Sequence, residues 1–434
     1  MFFRAFTSPS LPDDCEFHLR HLPDIIFLAI AIVLLIGCIS QICHLLVSAL
    51  LVVAKKLKLS DAVTGSSFLA MAAGMPELFT HLIDIFSGGH DLGTSAIIGA
   101  VTFNAFIGIG FSALTSPFGR TLRVESRFLI RDVFFWLVSN FLLLLMFLDG
   151  KIESWESFVL IFCYGVYIIV LIIHDKHVRT KQGGERHKLL INYQEDIIDS
   201  TTTITTPNVQ KNIDTITPSP RKQSTSANYH SFGNDDNDTD HHKEQLTVIG
   251  IATDWILWPA SKVLHLTVPD CSKSHWKRWY LVSTLLCLVW LAAIEYVIVE
   301  LVSKLGCLAG LSSNLLGTLL LGPLMSLPDA LVAITMVKHG RVNSSMGCIF
   351  GCNIFSLLIG MGLPWVISTG IYPGVPLEVS DDGMIMNSFI VLGVAFIIVI
   401  SLFTTSFKLT RNLGFSFVFF YVVYVCYVVY SQQF

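Results

Sequence analysis

The chain has 434 residues, of which 53% are hydrophobic and 14% charged, with a net charge of -4 and a mean hydropathy of +0.65. That much apolar surface exceeds what a soluble core needs, which makes lipid the expected solvent. No basic block, phosphate loop, zinc motif or nucleophile–base constellation stands out, so the sequence reads as neither an enzyme nor a nucleic-acid binder.

Residues 1–22 form a polar lead that contains Cys15 and lacks the apolar region of a cleavable signal. Apolar runs follow near residues 24–53, 62–86, 94–116, 129–148 and 156–173, each close to the ~20 residues that cross a bilayer. Residues 175–245 are rich in Thr, Ser, Asp, Asn, Lys and His without helical periodicity, which predicts a disordered linker. Its His241-His242 pair beside Asp238 and Asp240 is read as solvated rather than metal-binding. Residues 246–270, interrupted by Asp254 and Pro259 and rich in Trp, read as an interfacial segment. Further runs lie near residues 278–303, 311–337, 343–367, 384–405 and 412–430.

The expected fold is therefore an all-α membrane protein of ten transmembrane helices, built as two inverted five-helix repeats with a disordered cytosolic loop. Its expected divisions are a lead at 1–22, a first repeat at 23–174, a linker with the interfacial segment at 175–275 and a second repeat at 276–434. Lys55, Lys56, Lys58, Arg120, Arg123, Arg127, Lys338, Arg341, Lys408 and Arg411 fall on one side, whereas the opposite loops carry little beyond Lys151 and Lys304. The positive-inside rule then places the linker in the cytosol and both termini outside or in a lumen. An odd number of spans per half gives the halves opposite orientation.

The chemistry concentrates in two stretches, 65–110 and 317–362. In each, an apolar run carries a proline directly before an acid, Pro76-Glu77 and Pro328-Asp329, at the same distance from an opening glycine, Gly65 or Gly317. An acid inside a span costs ~3 kcal/mol for insertion, which marks an ion or substrate path. The proline frees a carbonyl one turn earlier, a break tolerated beside a polar cavity. Each stretch continues into an Asn-x-Phe helix, Asn104 with Phe106 and Asn353 with Phe355, so the sequence alone sets Asn104 against Asn353. Such paired, interrupted helices are the internal-repeat signature of secondary transporters. Carboxylates, amide oxygens and freed carbonyls suit hard cations. His81, one turn past Glu77 on its face, either makes the site pH-sensitive or donates to a neighbouring carbonyl. Asp84 reads as a cap for the Ser87-Gly88-Gly89 turn or as vestibule lining, and Glu295 and Glu300 as entry-path or interfacial acids. Cys348 and Cys352 share a helix face at i, i+4, a spacing read as packing rather than as a soft-metal pair.

With PELFT at 76–80, LTVPD at 266–270, NIF at 353–355, GLPW at 362–365 and KLTRNLG before the last span, the chain resembles the cation/Ca²⁺ antiporters. In detail it is most similar to the potassium-dependent sodium/calcium exchangers. The resemblance implies antiport of Na⁺ against Ca²⁺ by alternating access at a midplane carboxylate site in a multi-pass protein of the plasma membrane. Ca²⁺ and Na⁺ are then the transported partners, the lipid bilayer is the environment, and no cofactor is expected. The implied ion-site residues are Glu77, Asp329, Asn104, Asn353, Ser326, Ser356 and His81. Departures from the family pattern remove oxygen ligands: Ala72-Ala73-Gly74 stands for a Gly-Ser/Thr-Ser run, Leu324-Met325 for Gly-Thr, Ala100 for a serine and Ile39-Ser40 for an acidic pair. Ser356 replaces the acid of potassium-dependent members, so K⁺ dependence is expected to be weakened or absent. Two other readings stay open, a cation/H⁺ antiporter using His81 and a non-transporting pseudo-exchanger that acts as a membrane scaffold through its cytosolic loop.

Overall fold

The computed structural model describes residues 22–57, 61–87, 91–115, 122–148, 150–177, 261–271, 273, 275–338, 340–371, 377–378 and 382–431. The chain divides into two units, Met1–Ile169 with Lys243–Phe434, and Val170–His242. Described residues of the second unit are the last turns of one helix, 170–177. The linker reading for 178–245 and the start of the interfacial segment lie outside the described residues. The remainder of that segment includes a short helix at 261–267, from which Leu266 is exposed.

Helices dominate. They are α1 (Leu22–Lys56), α2 (Gly65–Ala73), α3 (Met75–Phe86), α4 (Leu92–Leu114), α5 (Ser126–Phe147), α6 (Ser154–His177), α7 (Lys277–Ala309), α8 (Ser313–Lys338), α9 (Val342–Gly370), α10 (Ile385–Thr404) and α11 (Arg411–Ser431). Among the described residues nine helices are long and apolar enough to cross a membrane, and ten if α2 and α3, bent by 43°, make one broken span. The protein is thus an all-α, multi-pass membrane protein. Phe396, Ile400, Phe403, Phe415 and Phe419 stand exposed on α10 and α11, as lipid-facing side chains do.

Two long helices form an outer pair. Ile32, Ile39, Ile42 and Leu46 of α1 share one apolar cluster with Cys287, Leu291, Ile298 and Val302 of α7. Lys56, at the end of α1, lies 4.0 Å over the ring of Tyr280 at the start of α7, so the pair runs antiparallel.

Behind it, α2 packs on α9 and α4 packs on α8, with backbone against backbone. A Cβ at Gly65 would lie 2.8 Å from the Ser344 carbonyl oxygen, and one at Gly317 would lie 2.6 Å from that of Leu92. Likewise Gly351 meets the Ser66 carbonyl at 2.6 Å, and Gly99 meets that of Thr318. Small residues are what allow helices in lipid to approach so closely. Each contact maps onto its counterpart by the offset that separates Glu77 from Asp329.

Four π-helical turns obey the same offset, Gly65–Leu69 with Gly317–Leu321 and Asn104–Gly108 with Ser356–Gly360. The register from motif matching is thereby corrected. Asn104 corresponds in the fold to Ser356, not to Asn353. Shared glycines and π turns carry the register, whereas the Asn-x-Phe likeness is local.

Two-residue strands close the loops at either end. β1 (Leu122–Arg123) pairs antiparallel with β4 (Lys408–Leu409), and β2 (Lys151–Ile152) with β3 (Leu377–Glu378). Below β1, Asp132 of α5 accepts from Ser66 at 2.9 Å, from Arg131 Nε at 2.8 Å and from Tyr167 at 3.2 Å, anchoring the first turn of α2. The first turn of α8 is anchored without charge, because Asn314 Oδ1 accepts from Ser95, Thr318 and Asn387.

Candidate ion site

Gly74 ends α2 at φ -81° and ψ 1°, and Pro76 occupies the first turn of α3, where a missing N–H costs no helical bond. The break delivers Glu77 to the middle of the bundle with no exposed surface. Opposite it, α8 runs unbroken through Pro328 and presents Asp329, which is half-buried. Proline leaves the carbonyls of Ala72 and Leu324 without their helical donors, so backbone oxygen is also on offer near both acids.

The repeats meet at these acids. Ser326, two residues before Pro328, donates its hydroxyl to Glu77 Oε1 at 3.2 Å. Cys352 of α9 donates its thiol to Asp329 Oδ2 at 3.7 Å. Ligand-capable atoms of Glu77, Asp329 and Cys352 all lie within 4.8 Å of one another. Two ionised carboxylates that close repel by about 3.5 kcal/mol at an effective dielectric of ~20, so the pair is poised for a cation. Among the described residues Glu77 Oε2, Asn104 Oδ1, Asn353 Oδ1 and Ser356 Oγ are buried without hydrogen-bond partners. Asn353 spends its amide N–H on the Val101 carbonyl at 3.4 Å, leaving its oxygen as the open group. Asn104 is held next to α8, where Phe103 and Ile107 pack on Ala330. A cavity of about 30 Å³, room for a water or a bare cation, reaches Asp329 between Ser40, Cys43 and His44 of α1 and Val332 and Cys348.

His81 reaches α9 and α4. Its Nδ1 lies 2.8 Å from the Gly360 carbonyl, to which only an N–H can bond, and its Nε2 lies 3.2 Å from the Thr94 hydroxyl. Trp365 packs edge-on against the ring at 5.8 Å. This is the carbonyl-donor role, and it ties α3 to the π turn of α9. Asp84 accepts from the Gly93 amide at 2.8 Å, so it caps the start of α4; residues 88–89 of the turn expected from sequence lie outside the described residues.

Glu295 departs most from expectation. It is fully buried rather than interfacial, and its Oε2 accepts from Thr80 at 2.9 Å, one turn from Glu77. Its Oε1 has no partner among the described residues. Glu300 is exposed, as expected. Cys352 and Glu295 are two side chains that the sequence reading named without setting them beside the acid pair. A lone acid in the middle of an apolar run is the signal that marked Glu77, and it applied to Glu295 as well.

An acid pair shared by two glycine-packed helices that each carry a proline beside the acid defines a secondary cation transporter. A family model described as "Sodium/calcium exchanger protein" matches residues 27–173 and 279–430, and the chain belongs to that family. Sodium/potassium/calcium exchanger 3 of Rattus norvegicus is 24% identical, with 88% of this chain and 79% of the relative covered. Sodium/potassium/calcium exchanger 5 of Homo sapiens is 25% identical, with 90% and 80% covered. Among solved structures, an H⁺/Ca²⁺ exchanger has the same fold with TM-score 0.57 at 15% identity, covering 94% of this chain and 82% of that one. A sodium-calcium exchanger follows with TM-score 0.52 at 13% identity, covering 92% and 98%.

Proposed function

We propose that the chain exchanges Na⁺ for Ca²⁺ by alternating access, with Glu77 and Asp329 as the charged ligands. The observation that carries this reading is the Ser326–Glu77 hydrogen bond beside Asp329, which puts one oxygen cluster between both repeats. Asn104, Asn353 and Ser356 add oxygens, while His81 acts by holding α3 to α9. One Ca²⁺ or Na⁺ ions neutralise the same pair, so the two compete for it. An empty pair keeps its mutual repulsion when water is excluded, which disfavours passage of the unloaded site. The relatives are named as sodium/potassium/calcium exchangers. Ser356, where the resemblance implies an acid in potassium-dependent members, supports exchange with weakened or absent K⁺ dependence.

The same proposal extends to ten spans in two inverted repeats, 23–174 and 276–434, in the plasma membrane, with 175–275 as a cytosolic linker. It is supported by the antiparallel α1–α7 pair and by contacts that interchange with the repeats. Strand pairings exchange in the same way, since β1 and β3 occupy equivalent loops, as do β2 and β4. Cys307, near the end of α7 away from the Lys-rich loops, is disulfide-bonded, which fits an oxidising outer side. The cavity at Asp329 is lined by Val332, which lies on the Lys338 side of the acid, the cytosolic side under this topology.

The test is Na⁺-gradient-driven Ca²⁺ uptake into vesicles bearing the full chain, with and without K⁺. Uptake indifferent to K⁺ is expected. Absence of uptake by correctly inserted protein would reject Na⁺/Ca²⁺ exchange.

A further inference from the structure

Sulfur stands where a hard-cation site wants oxygen. Cys352 is almost completely buried, and its Sγ lies with the Glu77 and Asp329 carboxylate oxygens in one group spanning 4.8 Å. Glu77 Oε2, the fully buried oxygen of the same carboxylate, has no partner among the described residues. Two further buried thiols, Cys43 and Cys348, line with His44 the cavity that opens on Asp329. Na⁺ and Ca²⁺ gain little from a thiol, whereas thiolate, imidazole and carboxylate together are the donors of borderline cations. We propose that Glu77, Asp329 and Cys352 bind a thiophilic divalent cation of the Zn²⁺ class, which enters past Cys43, His44 and Cys348 and competes with Ca²⁺. The inference rests on the acid pair being the cation site.

The geometry needs little adjustment. Bonds of ~2.0–2.3 Å to a tetrahedral ion place ligand atoms ~3.4 Å apart, so groups now within 4.8 Å draw in by about 1 Å through side-chain rotation. Two carboxylates and one thiolate supply the charged donors, with the buried Ser356 hydroxyl or a water completing four. On binding, the Cys352 S–H bond breaks, the sulfur keeps the electron pair for the metal, and one proton leaves to solvent through the cleft. The thiol that now donates to Asp329 thereby becomes a ligand.

Co²⁺ serves as a coloured stand-in for Zn²⁺ on the purified full-length protein. One equivalent is expected to give a near-ultraviolet thiolate-to-metal band that Zn²⁺ abolishes. Cys352→Ser and Asp329→Asn should each lose it, whereas Cys426→Ser, at an exposed position, keeps it. In Cys352→Ser the ratio of Zn²⁺ to Ca²⁺ affinity should fall at least ~10-fold. No band, or a band that survives both Cys352→Ser and Asp329→Asn, overturns the proposal. Uptake of Ca²⁺ without the band leaves exchange standing and removes this inference. The band without uptake does the reverse.

Discussion

The Pro76-Glu77 and Pro328-Asp329 pairs occupy equivalent places on helices of different build. The first helix is broken, bending by 43° at Gly74, and the second runs unbroken from Ser313 to Lys338. Gly74 corresponds by the repeat offset to Ser326, so one repeat spends this position on a backbone break and the other on a hydroxyl. A side chain at Gly74 would run into the Phe355 ring and come within 3.0 Å of Ser356 Oγ. The consequence is an asymmetric site. Glu77 is sealed and receives a hydroxyl, whereas Asp329 is half-buried, faces a cleft and receives a thiol. Under the proposed exchange, the sealed acid would fix the ion and the cleft-facing acid would meet it on entry. The supports differ as well, with a charged anchor on Asp132 under α2 and a neutral one on Asn314 under α8.

Neutralising the acids should break the site most completely. Glu77→Gln is expected to reduce Na⁺-driven Ca²⁺ uptake to background, because a sealed amide cannot balance a cation's charge. Asp329→Asn should also fail to turn over yet retain weak Ca²⁺ binding, since the cleft admits water. Equal residual binding in the two variants would contradict the division of labour. Next comes the contrast of anchors. Asp132→Ala removes the buried carboxylate that Ser66, Arg131 and Tyr167 share and should cost ~3–5 kcal/mol, against ~1–3 kcal/mol for Asn314→Ala, which strands neutral hydroxyls and an amide. Thermal unfolding in detergent reads both, and equal losses would show that charge is not what distinguishes the supports.

A smaller effect sharpens the contrast between Ser326 and Gly74. Ser326→Ala removes a hydroxyl donated to a carboxylate, a bond of ~1.5–3 kcal/mol, and should weaken Ca²⁺ binding about tenfold or more. Gly74→Ser restores in composition only the hydroxyl that the family resemblance implies there. With Phe355 in the way it should lower uptake, and a gain in Ca²⁺ affinity would refute the steric argument.

Much of this was legible in the sequence because hydropathy and proline are local signals. The acids at 77 and 329, the spans and the break near Pro76 follow from a run of apolar residues that contains one group lipid will not tolerate. The register of the second stretches was not legible from Asn-x-Phe. What fixes it is the match between Gly99 and Gly351 against opposite backbones, a tertiary constraint. Glu295 was misplaced because its partner, Thr80, lies on another helix and its depth is set by α1 packing on α7. The i, i+4 spacing of Cys348 and Cys352 states only that they share a face, and α9 turns that face to Asp329.

His81 offers the mildest and most diagnostic test of how the site is held. If it shuttled protons, one nitrogen would have to face the acids or a water path. Nδ1–H donates to the Gly360 carbonyl and Nε2 lies 3.2 Å from the Thr94 hydroxyl, which favours a positioning role. Gly360 closes the π turn that begins at Ser356, so the imidazole acts as a strap on the helix that carries an oxygen ligand. Replacing it with Gln, which keeps a donor for the carbonyl, should shift Ca²⁺ affinity only slightly, whereas His81→Leu should cost ~0.5–1.5 kcal/mol through the lost bond. The pH profile of uptake between ~6 and ~8, where a free imidazole titrates, should be the same in wild type and His81→Gln. A profile flattened by His81→Gln would instead make His81 a proton-binding member of the site, coupling α3 to transport by charge rather than by position.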